Sequence, residues 1–261
     1  MKKPRVLLTG ASGRLGSVIQ EDLSDIWDII PLSRSGGKGS CKCDLLLPED
    51  RESLFENDFD IVVNTAAVSS VSRCAYNPAE SWMLNTLWPR ALASYCLDRD
   101  KRLIHFSTDL VYSGGTPPYT ETSPAVPLSF YGWTKLVADI LVLKTDPHAL
   151  IVRTSVLCGE TGSNKTTFSE DLLCGKIQRV FVDSWRNHTD IHWLAGILPG
   201  LAVQGRSGLV IASGRYSQSR SAYAEALLQS RQGSTDHLVL EYAPPGVPSR
   251  LHLMGEYSDS G

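Results

Sequence analysis

Apolar residues fall in short unbroken runs, separated by stretches where they recur every third or fourth position. Arg5 to Thr9 is such a run, and after Gly13 the residues Leu15, Val18, Ile19 and Leu23 share one helical face. Trp27 to Leu32 and Asp60 to Asn64 read as strands, Ala79 to Leu97 as one helix, and Arg102 to Ser107 as the next strand. Pro117 to Ser129 is loop-like. A helix follows from about Tyr131 to Leu143, then a strand at Ala149 to Ser155. Past Gly159 the rhythm loosens: a polar stretch at 162–167, a helix at Ile191 to Leu201, a strand at Gly208 to Ala212 and a helix at Ser221 to Gln229. The tail from Pro244 is rich in Pro, Gly and Ser, which predicts disorder in its last few residues.

Strands alternating with helices imply right-handed crossovers and a parallel sheet covered on both faces. The expected fold class is α/β, a Rossmann-type doubly wound parallel sheet with a small C-terminal substrate lobe. Residues 1–160 form the dinucleotide-binding core, to which the strand near 208–212 returns, and 161–261 form the lobe.

The turn between the first strand and helix reads Thr9-Gly10-Ala11-Ser12-Gly13-Arg14-Leu15-Gly16. Glycines let backbone approach a pyrophosphate, and a helix start offers it unpaired N–H groups. Placed between a strand and an amphipathic helix, the pattern has the context a dinucleotide site requires. NAD-preferring sites place an acid after the second strand. Here Leu32-Ser33-Arg34-Ser35 stands instead, so Arg34, flanked by Ser33 and Ser35 and helped by Arg14, suits a 2′-phosphate. NADP is expected ahead of NAD, with a solvated loop charge as the bland reading of Arg34.

Tyr131 and Lys135 lie four residues apart on one helix face. A phenol with a pKa of about 10 relays protons poorly near neutrality unless a cation favours its ionised form. Lys135 is the expected cation and holder of the nicotinamide ribose, and Tyr131 the expected proton donor to a carbonyl oxygen. Thr108, at the end of the preceding strand, is placed to hydrogen-bond the same carbonyl or to cap a turn.

Composition narrows the partners. The chain has 261 residues, 42% hydrophobic and 20% charged, with a net charge of −3. That balance fits a globular protein and argues against nucleic acid, which demands a basic excess. No apolar run approaches the ~20 residues of a membrane span. The basic start Met1-Lys2-Lys3-Pro4-Arg5 is followed by too short an apolar run for an export signal. The expectation is a cytoplasmic protein with a small-molecule substrate, no nucleic acid and no membrane. Six cysteines without a zinc pattern read as reduced thiols. His188 and His192, four apart on a possible helix, lack a third ligand, so no metal is expected.

Together these motifs resemble the extended short-chain dehydrogenase/reductase family, most closely its dTDP-4-dehydrorhamnose reductase-like branch. The likeness rests on the glycine turn, Asp44-Leu45, Asn64-Thr65-Ala66-Ala67, Leu84-Asn85, Ser107-Thr108-Asp109-Leu110-Val111-Tyr112-Ser113-Gly114, Tyr131 to Lys135, and Arg153-Thr154-Ser155. It implies Thr108, Tyr131 and Lys135 as the catalytic three. Cofactor contacts are implied at Gly10, Ser12, Gly13, Arg14, Leu15, Gly16, Ser33, Arg34, Ser35, Asp44, Leu45, Ala66 and Ala67, besides Tyr131 and Lys135. Asp109, Val111, Arg153 and Arg186 are the substrate-side candidates, the two arginines at even odds with structural salt bridges. The chain departs from the family at Val156, where a Trp is common, and at Arg186-Asn187-His188-Thr189 and Trp193-Leu194-Ala195, which lack a proline and an acid. It also reads as short for the family, with a thin lobe.

The implied activity is NADP-dependent reduction of a keto group, on a nucleotide-linked sugar or a non-sugar ketone of a specialised pathway. The alternative is an NADP-binding regulatory subunit without catalysis, and a possible homodimer pairs through the Ala91-Leu92 and Leu136-Val137 faces.

Overall fold

The computed structural model describes residues 2–37, 39–55 and 58–259. The chain runs β1 (Arg5–Thr9), α1 (Arg14–Leu23), β2 (Asp28–Ser33), β3 (Cys41–Lys42), α2 (Pro48–Leu54), β4 (Ile61–Asn64), α3 (Val71–Tyr76), α4 (Pro78–Trp82), α5 (Trp88–Asp98) and β5 (Arg102–Thr108). Then come α6 (Phe130–Thr145), β6 (Leu150–Thr154), β7 (Leu157–Cys158), α7 (Phe168–Leu173), β8 (Arg179–Phe181), β9 (Trp185–Asn187), β10 (Thr189–Asp190), α8 (Ile191–Gly196) and α9 (Leu198–Val203). The last elements are β11 (Gly208–Gly214), β12 (Ser217–Ser219), α10 (Arg220–Ser230), β13 (Val239–Glu241), β14 (Arg250–Leu251) and β15 (Tyr257–Asp259).

Eight strands form one parallel sheet in the order β15-β11-β6-β5-β4-β1-β2-β3. Its strands read as unbroken apolar runs because both faces are covered. Val6 and Leu8 point into one core and Leu7 into the other; Ile61 and Val63 oppose Val62, and Ile104 and Phe106 oppose Leu103, in the same way. Leu15, Val18, Ile19 and Leu23 seat α1 in the first core. Burial of such side chains stabilises by roughly 1.5–3 kcal/mol each. That packing, more than propensity, holds a ten-residue helix that would be marginal alone.

Segments after residue 160 divide between two places. Ile191, Leu194, Leu198 and Leu201 of α8 and α9 join the α1 core, and β11 and β15 extend the main sheet. Leu172, Val180 and Ala224, with Phe168 and Tyr223 packed against them, build a separate small cluster. Tail disorder is corrected as far as Asp259, since Tyr257–Asp259 pairs with β11; Ser260 and Gly261 lie outside the described residues. No helix among the described residues is long and apolar enough to cross a membrane.

The single helix expected over 79–97 is interrupted by a π turn at Met83–Leu87. Pro89 lacks an N–H and its ring crowds the carbonyl one turn back, which the wider turn relieves. Asn85 thereby points inward: its Oδ1 accepts from Val68 N at 2.8 Å, and its Nδ2 donates to Thr134 Oγ1 at 3.1 Å. Thr86 Oγ1 donates to Thr134 O at 2.8 Å. These bonds fix α6 against the loop after β4.

Candidate functional site

The order in which successive strands are added reverses across the sheet between β1 and β4, and ligands bind at the carboxyl ends of strands where that happens. Gly10 there has φ +76°, and a Cβ would come within 2.7 Å of Ala66 N. A groove of about 950 Å³ opens above it. It is lined by Gly10, Ser12, Gly13 and Arg14 after β1, by Ser33, Arg34, Ser35, Asp44 and Leu45 after β2 and β3, and by Ala66 and Ala67 after β4. α1 starts with Gly13 as N-cap, without a side-chain cap or an acid in its first turn, so its amides are open to an anion. The Leu15 side chain lies in the core, so only its first-turn amide can face the groove, and Gly16 packs against Gly10 O. The wall includes Asn164 and Lys165, brought over the turn by a hydrogen bond from Arg14 Nε to Thr166 O.

The far end of the groove holds residues that strand-by-strand reading missed. Ser40 Oγ lies 2.7 Å from Ser33 Oγ, and Glu80 is 2.8 Å from Arg73 Nη2 and 3.6 Å from Arg34 Nη1. No acid stands at the end of β2, yet α4 delivers Glu80 there in space. An open helix start at one end and two arginines with serines at the other fit a dinucleotide carrying an extra phosphate.

The catalytic candidates gather beside this groove. Ser129 Oγ caps α6, accepting from Gly132 N at 3.1 Å, and Tyr131 sits in the first turn. Tyr131 is buried among Val68 and Cys74, with Leu84 and Leu110 packed on them, and Val68 and Leu84 also line the groove. The Thr108 hydroxyl lies near enough to the phenol to favour its ionised form. Burial pushes the phenol above its ordinary value of 10, with Thr108 opposing and Asp109 adding to the rise. The expectation that Lys135 lowers this pKa is thus corrected: desolvation dominates. Lys135 is itself drawn down to about 8 by burial, with Asp139 pulling the other way. Its Nζ lies 2.7 Å from Phe106 O and 3.0 Å from His105 Nε2.

Of the substrate-side candidates, two are occupied in holding the fold. Val111 is fully buried in a cluster with Tyr112 and Leu136. Arg153 pairs with Asp139 at 3.0 Å and donates to Tyr112 Oη at 2.9 Å. Val111 lies in the short turn that follows β5 and Arg153 on β6, and packing takes both side chains away from the groove. Arg186 is buried, donating to Trp185 O and Pro248 O, with Asp109 at 3.9 Å; Asp109 also accepts from Ser155 Oγ at 2.6 Å. Beyond them lie His188, stacked on Tyr223 with ring centroids 3.8 Å apart, and Arg220 over Phe168. Burial and the charges of Arg220 and Arg186 hold His188 down to about 3. His188 and His192 do not share a helix. His188 precedes β10, whereas His192, on α8, lies 2.7 Å from Asp22 Oδ2.

The expected pairing faces are also corrected in part, because Leu92 and Leu136 are buried. On α6 Phe130, Trp133 and Ile140 stand in solvent.

Comparison with known proteins gives three concordant results. A family model described as RmlD substrate binding domain matches residues 4–239. The dTDP-4-dehydrorhamnose reductase of Mycobacterium tuberculosis is 30% identical over 238 residues, covering 86% of this chain and 76% of that protein. A probable low-salt glycan biosynthesis reductase, Agl14 of Haloferax volcanii, is 35% identical over 162 residues, 59% of this chain and 54% of the relative. With several curated relatives the match thus spans about half of their length. The crystal structure of dTDP-4-dehydrorhamnose reductase from Bacillus anthracis in complex with NADP superposes with a TM-score of 0.83. At 23% identity, over 97% of this chain and 89% of that one, it shows the same fold.

Proposed function

The chain belongs to the RmlD substrate binding domain family, and from that premise we propose that it is an NADP-dependent reductase of a keto group on a nucleotide-linked sugar. The observation that carries the reading is the Tyr131–Thr108 hydroxyl pair, buried against two residues of the dinucleotide groove. A regulatory binder has no use for such a pair.

NADPH, when bound, supplies the hydride. The open start of α1 and Arg14 would hold its pyrophosphate, and Ser33, Ser40, Arg34 and Arg73 its 2′-phosphate. Tyr131 keeps its proton through neutral pH and gives it up only to a strong base. The alkoxide formed as a ketone is reduced is such a base, so a raised phenol pKa suits the donor. Thr108 orients the carbonyl oxygen toward Tyr131. Lys135 offsets the phenolate left behind. Arg186, Asp109, His188 and Arg220 lie on the substrate side. The exposed stripe of Trp133 and Ile140 on α6 supports pairing of two copies.

The test is NADPH oxidation with dTDP-linked 4-keto sugars and simple ketones. Tyr131→Phe is expected to lower turnover by about 10²–10⁴-fold while NADPH binding, followed by fluorescence, persists. Unchanged turnover in that variant overturns the mechanism; tight binding without turnover on any substrate overturns the reductase reading.

A further inference from the structure

A chain of buried polar side chains runs from Lys135 across three neighbouring strands. Lys135 Nζ lies 3.0 Å from His105 Nε2; the other ring nitrogen, Nδ1, lies 2.9 Å from Asn64 Nδ2. Asn64 Oδ1 in turn lies 2.5 Å from Thr9 Oγ1. Asn64 is the register partner of Thr9 on β1 and of His105 on β5, so the sheet itself aligns the chain. Thr9 and Asn64 are 0% exposed, His105 1% and Lys135 2%. At such depth each donor must meet an acceptor.

Counting protons leaves two consistent states. A neutral imidazole has one N–H and one lone pair, and an ammonium has no lone pair. With Lys135 charged, His105 Nε2 must accept, so Nδ1 carries the hydrogen and needs an oxygen. Asn64 then presents Oδ1 to it and gives Nδ2 to Thr9. With the amide turned the other way, Nδ2 donates to Nδ1, and Nε2–H points at Lys135 Nζ. Only a neutral amine accepts that hydrogen. The two amide orientations have the same shape, so one site serves both states. A charged imidazolium fits neither, and both burial and Lys135 hold His105 well below its ordinary 6.5.

We propose that His105 is a positioning residue that sets the protonation state of Lys135, its Nε2 lone pair holding the ammonium while Asn64 follows each change with a turn of its amide. The catalytic consequence rests on the ketone-reduction reading above; the coupled tautomer does not. Two titratable side chains besides His105 bear on Lys135: Asp139 on its own helix and Cys74 on α3. Asp139 is shared with Arg153 on β6. With burial bringing the amine to about 8, one hydrogen bond more or less decides its charge near neutrality.

Two measurements on the full chain test this. Histidine ¹⁵N NMR at pH 6.5 should show His105 neutral with its hydrogen on Nδ1, moving to Nε2 as pH rises through the Lys135 transition. Hydrogen on Nε2 at pH 6.5, or a charged ring, overturns the proposal. In turnover, His105→Leu should move the alkaline limb of kcat down by about one pH unit, about a tenfold loss above the limb and a smaller one at pH 6.5. His105→Gln, whose Oε1 can accept from Lys135, should return the limb toward its original place. Equal loss at every pH with the limb unmoved means a merely structural role and overturns the proposal. If no ketone is turned over, the reductase reading fails by itself, and the NMR result still decides the tautomer.

Discussion

Replacing Arg153 with methionine isolates the worth of one buried ion pair behind the candidate site. Arg153 and Asp139 meet at 3.0 Å with 6% and 3% of their side chains exposed, and Asp139 also accepts from Ser107 Oγ at 2.9 Å. Methionine keeps the apolar stem and removes the charge, leaving the carboxylate buried without its main partner. Such losses cost about 3–5 kcal/mol. Asp139 has an escape, which is to take up a proton. From an unfolded pKa of about 3.9, staying protonated at pH 7 costs at most about 4 kcal/mol. In the intact protein burial already raises this carboxyl, and Arg153 is the chief group pulling it back. Without Arg153 the folded pKa climbs further. Between the two folded values the variant holds a proton that the intact protein and the unfolded chain have both released, so its deficit widens with pH by about 1.4 kcal/mol per unit. Urea unfolding followed by tryptophan fluorescence is expected to show a loss of about 3 kcal/mol at pH 8, a fall of about 6–12 °C in melting temperature, and a smaller loss at pH 5. Adding Asp139→Leu should restore most of it, since a matched apolar pair leaves no charge stranded. A cost below about 1 kcal/mol at pH 8, or one that ignores pH, refutes the reasoning.

Arg34→Ala with Arg73→Ala should weaken NADPH binding about 10–100-fold and NADH binding little, the weight of one or two charge-assisted hydrogen bonds; equal losses for both cofactors, measured by fluorescence titration, would place the arginines elsewhere than on the 2′-phosphate. Gly132→Ala puts a Cβ 2.3 Å from Leu110 O in the turn that carries Tyr131. Overpacking should outweigh the helix-propensity gain, costing about 1–3 kcal/mol, with turnover down about 100-fold from displacement of the phenol. A more stable, fully active variant would contradict that contact.

Six of the eight main-sheet strands, α1, the glycine turn and the Tyr131–Lys135 spacing were legible in the chain because each depends on local period or on neighbours a few residues away. A strand covered on both faces must be apolar throughout, and a helix face must repeat every three or four positions. The turn residues carry their own steric reason, seen at Gly10 against Ala66. Boundaries of these elements shifted by a residue or two, and two expected helices were interrupted, 79–97 by the π turn ahead of Pro89 and 191–201 between α8 and α9 ahead of Pro199.

What the sequence by itself determined was therefore the order of the core elements, the place of the glycine turn and the shared helix face of Tyr131 and Lys135. Tertiary structure alone decided which polar residues face that groove. Arg73 and Glu80 reach the Arg34 end from another βα unit, Lys165 crosses over from the chain beyond β7, and Arg153 turns inward to Asp139. It also decided the charges, for Tyr131 and Lys135 lie four residues apart in any reading, but only burial makes desolvation the largest influence on both. Periodicity reports which face of an element is apolar; the partner of a buried charge is set by register and packing between distant segments, which no local pattern records.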